Sequence, residues 1–223
     1  FGLVVGTAWG MTETSPLGTV SVLTPGMRAL PQEEQYAFRV KQGMAAPLVD
    51  IRLVGEEGEV PWDGKSVGEI QVRGPWITGS YHELPRNESS FTADGWLRTG
   101  DVGCIDENGF LRLTDRTKDL IKSGGEWISS VDLENAVMGH PAVLEAAVIA
   151  VAHPRWAERP LAVIVLRPGM TATADDIRDH LAHTFAKWQL PEAYEFVTEI
   201  PRTSTGKFLK TRLRETYRDW KWD

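Results

Sequence analysis

The sequence predicts an α+β protein: the end of an α/β sheet domain, then a small antiparallel β-barrel or sheet subdomain, then a separate compact α+β domain. Three observations carry this. Residues 3–10 form an apolar run that reads as a strand entering the middle of a sheet, behind the tail of a helix. From Ala46 to Leu113, short segments between glycines alternate apolar and polar residues with period two. After Ser129 long apolar strands alternate with amphipathic helices, enough for about 100 residues to close a core of their own. The expected division is 1–117 and 118–223, with the boundary in the turn Thr117 to Asp119.

Composition narrows the function classes. The 223 residues carry a formal net charge of −7, with a pI near 5.3 and no basic run. That argues against nucleic acid held by bulk electrostatics, so an anionic ligand must be gripped locally. The one cysteine, Cys104, excludes an internal disulfide and a cysteine zinc site and fits a reducing cytoplasm; beside Ile105 it reads as a small buried residue. No apolar run approaches the roughly 20 residues of a membrane span, so no transmembrane segment is expected, with peripheral membrane contact allowed.

Taken in order, the first strand is expected to end in the polar loop Gly10-Met11-Thr12-Glu13-Thr14, at the kind of strand terminus where open α/β sheets place ligands. Hydroxyls there can meet phosphate oxygens, and one carboxylate suits a hard cation such as Mg²⁺; a plain cap or turn is the alternative. Residues 15–45 read as a connection with an amphipathic piece from Gln32 to Lys41. Strands are expected at Val49–Val54, Gly68–Arg73, Gly95–Arg98 and Gly109–Leu113, with Trp62, Trp76 and Trp96 as packing and His82 at the surface. Thr99-Gly100-Asp101 reads as the end of the Trp96 strand, where a carboxylate can accept from both hydroxyls of a ribose, or simply stabilise a turn.

The stretch from Leu113 to Ser129 reads by itself as a surface hairpin, and in company with Trp9 to Glu13, Arg98 to Asp101 and Ser204 to Lys207 as a hinge. Asp115 to Asp119 holds four charges in five residues, too polar to bury, and Gly124-Gly125 admits backbone conformations costly elsewhere. Beyond it, a helix capped by Ser129 or Ser130 carries Asp132 and Glu134 in its first turns. Val143–Ala152 and Leu161–Leu166 read as buried strands, Thr173–Trp188 as an amphipathic helix, Tyr194–Val197 as a strand, and a last helix runs to about Arg218. Lys207 sits on a Ser/Thr/Gly loop; it reads either as one more solvated charge or as a compact cation that a flexible loop tip delivers to a distant site. His140, His153, His180 and His183 do not make a metal set; His180 and His183 read as solvated helix-face residues.

Four motifs in this order, Ala8 to Pro16, Arg98 to Asp101, Asp115 to Ser129 and Pro201 to Lys210, resemble the adenylate-forming enzymes. That superfamily includes acyl-CoA synthetases, firefly luciferase and the adenylation domains of peptide synthetases. Ala8–Pro16 and Gly124–Ser129 look most like medium- to long-chain fatty acyl-CoA ligases, whose relatives act on short acids such as methylthiopropionate. The resemblance implies that Trp9 is an aromatic stacking near adenine, Gly10 belongs to the nucleotide site, Thr12 bonds phosphate oxygens, Glu13 binds Mg²⁺, Asp101 holds both ribose hydroxyls, and Arg116 helps at ribose or phosphate. It implies Lys118 as the hinge, Gly124 and Gly125 as backbone admitting pantetheine, Trp127 beside that tunnel, and Lys207 as the cation at the α-phosphate and acyl carboxylate. Asp115 departs from the pattern, which commonly has glycine there. The phosphate loop and most of the acyl pocket are expected upstream of Phe1. Residues 1–117 are then the last part of the large N-terminal domain and 118–223 the mobile C-terminal domain, and the chain alone is expected to be inactive.

The activity so implied is ligation in two steps, adenylation of a carboxylic acid by ATP and transfer of the acyl group to CoA. Expected partners are the small acid, ATP, CoA and Mg²⁺, without nucleic acid and with a homodimer allowed for. The alternatives are a short-chain acid ligase, adenylation for a carrier protein, and a non-catalytic nucleotide-binding module of the same fold. Retention of Glu13 and Lys207 favours catalysis.

Overall fold

The computed structural model describes residues 5–83, 89–204 and 206–222, so the expected helix tail at 1–4 and Thr205 lie outside the described residues. The chain divides into two compact units between Thr117 and Lys118.

In the first unit, β1 (Ala8–Trp9), β2 (Thr19–Val20) and β3 (Met44–Ala45) form a short antiparallel sheet in that order. Of the strand expected over residues 3–10, the described residues keep Ala8–Trp9. Between β2 and β3 run α1 (Pro25–Arg28) and α2 (Gln32–Arg39). Sequence reading missed α1, a single turn whose cap Thr24 accepts from Met27 N at 3.3 Å, with Pro25 at the start, where its missing N–H is harmless. The expected amphipathic piece is α2, and its Phe38 ring meets Phe110 at 5.2 Å beside buried Leu23 and Met27.

β4 (Asp50–Gly55), β5 (Gly58–Glu59), β6 (Gly68–Arg73), β7 (Leu97–Ile105) and β8 (Leu111–Arg116) form an antiparallel sheet of order β5-β4-β6-β7-β8. Its edges β5 and β8 do not pair, so among the described residues the expected barrel is an open sheet. Period-two alternation brings Leu53, Ile70, Val72, Leu97, Ile105 and Leu111 together into one core. Trp76 packs against that core, and Trp96 is buried under the guanidinium groups of Arg52 and Arg73, at 4.4 and 4.7 Å. Trp62 is exposed instead, in a turn organised by Asp63, whose carboxylate accepts from Lys65 N and Ser66 N.

Two expectations about this sheet are corrected. Thr99–Asp101 does not end a strand, because β7 continues to Ile105 and absorbs these residues in a bulge: Gln71 pairs with Arg98 and Glu69 with Val102. Asp115 is not exposed in the charged turn but 6% exposed. β8 runs on through Arg116, so alternation turns Asp115 inward and Arg116 outward, and Asp115 accepts from Arg116 N at 2.7 Å.

The second unit follows the expected order of hairpin, helix, two strands, helix, strand, helix. These are β9 (Ile121–Ser123), β10 (Glu126–Ile128), α3 (Ser130–Met138), β11 (Val143–His153), β12 (Ala157–Leu166), α4 (Ala174–Ala182), β13 (Ala193–Phe196) and α5 (Lys210–Thr216). β12 pairs antiparallel with β11 and β9 and parallel with β13, the parallel link being made through α4. The strands are apolar on both faces because both are covered: Ala146, Val148, Ala162 and Ile164 pack with residues of α3 and α4, while Ala147, Ile149, Leu161 and Val163 share a core with Leu213 of α5. Caps mark the helix starts, with Ser129 accepting from Asp132 N at 3.1 Å and Thr173 from Asp176 N at 3.2 Å.

α4 stops at Ala182 rather than Trp188. The chain leaves the helix to offer the carbonyls of Trp188 and Leu190 to buried Arg159, which reaches them at 2.6 and 3.0 Å and Ser123 Oγ at 2.9 Å. A buried guanidinium demands such acceptors.

Candidate functional site

The loop after β1 folds into a 3₁₀ turn, Thr12–Thr14. The buried Thr14 hydroxyl accepts from Met11 N at 2.9 Å and lies 2.7 Å from the Pro16 carbonyl oxygen, folding Pro16 back onto Gly10. A Cβ on Gly10 would stand 1.8 Å from that carbonyl oxygen, so the close approach requires glycine. Thr12 is exposed and Glu13 half-buried. The Glu13 carbonyl accepts from Thr78 N at 2.8 Å and its carboxylate from the Tyr81 hydroxyl at 3.0 Å. Burial and the neighbouring Glu13 raise the Tyr81 pKa, keeping this hydroxyl a donor at neutral pH.

The bulge in β7 presents Asp101. Thr99 Oγ1 donates to Ile70 O at 2.7 Å and accepts from Asp101 N at 3.1 Å, which fixes the bulged backbone. Trp9 Nε1 donates to Asp101 Oδ2 at 2.8 Å, and Arg116, the cross-strand partner of Asp101, brings Nε to 3.4 Å from Oδ1. Trp9 is only 4% exposed, and a Cβ on Gly18 would sit 2.3 Å from its ring. Trp9 therefore has a buried place from which it orients Asp101. Each Asp101 oxygen keeps acceptor capacity, the requirement for binding a vicinal diol.

At the division of the units, Thr117 N donates to Gly100 O at 2.8 Å within the first unit, and Asp119 pairs with Arg214 within the second. Lys118 between these anchors is exposed.

In the second unit, Gly124 and Gly125 make the two-residue turn between β9 and β10, with φ of +62° and +89°. Two successive positive φ values match the hairpin turn whose twist suits the strands and favours glycine. Gly124 N donates to Trp156 O at 2.9 Å, and Trp127 lies half-buried with Lys122 Nζ 5.6 Å from its ring centre.

Lys207 is exposed on the expected loop, which is closed as a hydrogen-bonded hairpin. Arg202 bridges Phe208, Thr203 N donates to Lys207 O at 2.8 Å, and Lys207 N donates to Thr203 Oγ1 at 3.2 Å. His82 and His183 are exposed, as expected. His180 is not: its ring packs edge-on to His140 at 5.3 Å, with Nε2 3.1 Å from the Ala136 carbonyl oxygen.

The structure thus brings Trp9, Asp101 and Arg116 together in one unit, with Gly10, Thr12 and Glu13 following Trp9 along the chain. In the other unit it groups Gly124, Gly125 and Trp127 on one hairpin and sets Lys207 on another. Sequence reading gave no role to Tyr81, Thr99, Trp156 or Lys210, and it counted the Thr14 hydroxyl among those able to meet phosphate where the structure uses it to fold the loop. Nothing in local pattern could find Tyr81, whose partner Glu13 is 68 residues away.

Residues 1–82 match the AMP-binding enzyme family and residues 132–207 the AMP-binding enzyme C-terminal domain. The chain is 53% identical to the long-chain-fatty-acid–CoA ligase of Thermus thermophilus over 98% of its own length and 41% of that protein. It is 45% identical to the 3-methylmercaptopropionyl-CoA ligase of Ruegeria pomeroyi, over 95% and 39%. It also resembles the solved o-succinylbenzoate CoA synthetase of Bacillus subtilis, in complex with its acyl-adenylate intermediate, with a TM-score of 0.79, 32% identity, and coverage of 93% and 40%. The chain spans about two fifths of the length of the curated relatives it matches.

Proposed function

Because the chain belongs to the AMP-binding enzyme family, we propose that it supplies the ribose-binding and domain-turning parts of an ATP-dependent acid–CoA ligase acting on a medium- or long-chain fatty acid. The observation that carries this is Asp101, oriented by the Trp9 indole and faced by Arg116, with both oxygens able to accept from a ribose diol. The higher identity to the fatty-acid ligase favours that acid class. The 45% identity to a ligase named for 3-methylmercaptopropionate makes a short acid the second reading.

In this reading Asp101 and Arg116 hold the ribose side of ATP, and the Thr12 hydroxyl donates to its phosphates. Glu13 fits Mg²⁺ as a single hard-oxygen donor braced by Tyr81, since that ion is commonly held by one or two carboxylates together with substrate phosphates. When bound it supplies positive charge against the phosphate oxygens. The acid's carboxylate attacks the α-phosphorus and the bond to pyrophosphate breaks. The Lys207 ammonium offsets the negative charge gathered in that transition state. Residues 118–223 then turn about Lys118, withdrawing Lys207 and presenting the Gly124-Gly125 turn to the pantetheine arm of CoA, with Trp127 alongside. The CoA sulfur attacks the acyl carbon and AMP leaves. The reading carries with it a cytoplasmic location, and sedimentation tests whether the enzyme is a homodimer.

The test uses the protein extended to the length of its relatives and measures acid-dependent ATP–pyrophosphate exchange. Exchange is expected with fatty acids, and Asp101→Ala is expected to raise the KM for ATP. Nucleotide binding without exchange for any acid would replace the ligase with a binding module.

A further inference from the structure

We infer that Lys210 is a positioning residue for the Lys207 hairpin, holding it from beneath through a buried ion pair with Glu134; this rests on the proposed role of Lys207 in adenylation. Lys210 Nζ lies 2.6 Å from Glu134 Oε1 and donates to Ser130 Oγ at 2.7 Å, and the two charged side chains are 12% and 10% exposed. Glu134 Oε1 also accepts from Val148 N at 2.7 Å. The network therefore ties the first residue of α5 to α3 and to the middle of β11, three positions after Lys207.

The other side of the hairpin is pinned as well. Arg202 pairs with Glu145 at 2.5 Å and lies over the Phe208 ring at 4.6 Å, and Leu209 N donates to Pro201 O at 2.8 Å to close the neck. Both ends of the neck are fixed to the body of the unit while Ser204, Gly206 and Lys207 are exposed.

Stability alone does not select a lysine at position 210. Burying two charges is costly, a cation at the start of α5 opposes the helix dipole, and a well-packed apolar pair is commonly as stable as a buried ion pair. Apolar packing would not supply the same fixed direction. An ammonium shared between a carboxylate and a hydroxyl sets the rotation of the first turn of α5, and with it the direction in which Lys207 projects.

Two measurements test this. In the 223-residue chain, amide exchange at Gly206 and Lys207 is expected to rise by about tenfold in Lys210→Met and in the double variant Glu134→Gln/Lys210→Met, which leaves no unpaired charge. Amides of β11 and β12 should stay protected, and Lys210→Arg should keep the hairpin slow. Unchanged exchange in the double variant overturns the inference, whatever the activity proves to be. In the extended protein, Lys210→Met is expected to lower adenylation kcat about tenfold with little change in KM, and to add nothing to Lys207→Ala. Supplied acyl adenylate should still react with CoA. Equal loss of both half-reactions, or full additivity with Lys207→Ala, overturns the inference. An unaltered protein that forms no adenylate sinks the ligase reading, and the exchange result then decides the positioning role by itself.

Discussion

Asp101 and Lys207 are both charged candidates, and the molecule holds them in opposite ways. Asp101 is 18% exposed, seated in a bulge, bonded to the Trp9 indole and paired across the sheet with Arg116. Lys207 is exposed on a hairpin whose described backbone is hydrogen-bonded and whose neck is anchored. A group that recognises a ligand gains from being fixed in advance, because no reorganisation is then needed on binding. In the proposed mechanism the Lys207 cation is needed in one step and unwanted in the next, so it is not locked to partners of its own. Its support has to come from the backbone behind it.

The largest expected effect tests the exposed half of this comparison. On the role proposed for Lys207, Lys207→Ala in the extended protein removes one transition-state charge contact, for which a loss of roughly 10²- to 10³-fold, or about 3 to 4 kcal/mol, is typical. Pyrophosphate exchange should fall by that much while supplied acyl adenylate still reacts with CoA at near the normal rate. Melting should not change, since an exposed tip has little packing to lose. Equal loss of both half-reactions would mean that Lys207 is not delivered for the first step alone.

The preorganised half is tested by Trp9→Phe, which keeps most of the packing and deletes the N–H to Asp101. A hydrogen bond to a charged group is worth about 1.5 to 3 kcal/mol, so the KM for ATP should rise by roughly tenfold or more. An unchanged KM would show that Asp101 needs no orientation. A smaller and more selective effect is expected at the division of the units. Lys118→Pro fixes φ near −65° and removes a donor at the exposed residue between the two anchors. Thioester formation should fall while adenylation largely survives; matched losses would make Lys118 structural.

The contrast between the units also explains what could be read from sequence. In the second unit periodicity did nearly all the work. Val143 to Ala152 is apolar except for Glu145 because both faces are largely covered, and Ser129 and Thr173 announce their helices. Where α4 ended could not be read, because the stop is set by Arg159 reaching for distant carbonyls. In the first unit local cues misled at the places that matter most. Arg98 to Asp101 looks like a turn and is a bulge within a strand, and the five charges and hydroxyls of the apparent turn at 115–119 hid an inward-facing Asp115. The motifs pointed to Trp9, Asp101 and Arg116, but their mutual contacts depend on strand register, which spacing along the chain does not encode. For Tyr81 and Lys210 the sequence offered only side chains whose partners come from elsewhere in the fold.

The smallest expected effect concerns the frame that keeps Asp101 opposite Arg116. Both lie on the β7–β8 hairpin, whose turn is organised by Asp106: Oδ1 accepts from Asn108 N at 2.8 Å and Phe110 N at 3.0 Å, and Lys41 Nζ is 2.5 Å from Oδ2. Burial acts to raise the Asp106 pKa, but the Lys41 ammonium and the two amides outweigh it and hold the carboxyl below the ordinary aspartate value. The folded pKa is thus the lower one. The stabilisation is fully present above the unfolded value of about 3.9 and is lost as pH falls through the folded value. The pair is partly exposed, so its worth is at most about 1 kcal/mol, a shift of a few degrees in Tm. Asp106→Asn should therefore melt slightly below the unaltered chain at pH 7, and the gap should close in acid once both carry a neutral side chain at position 106. A gap that persists undiminished after protonation would mean that the turn depends on the shape of Asp106 and not on its charge.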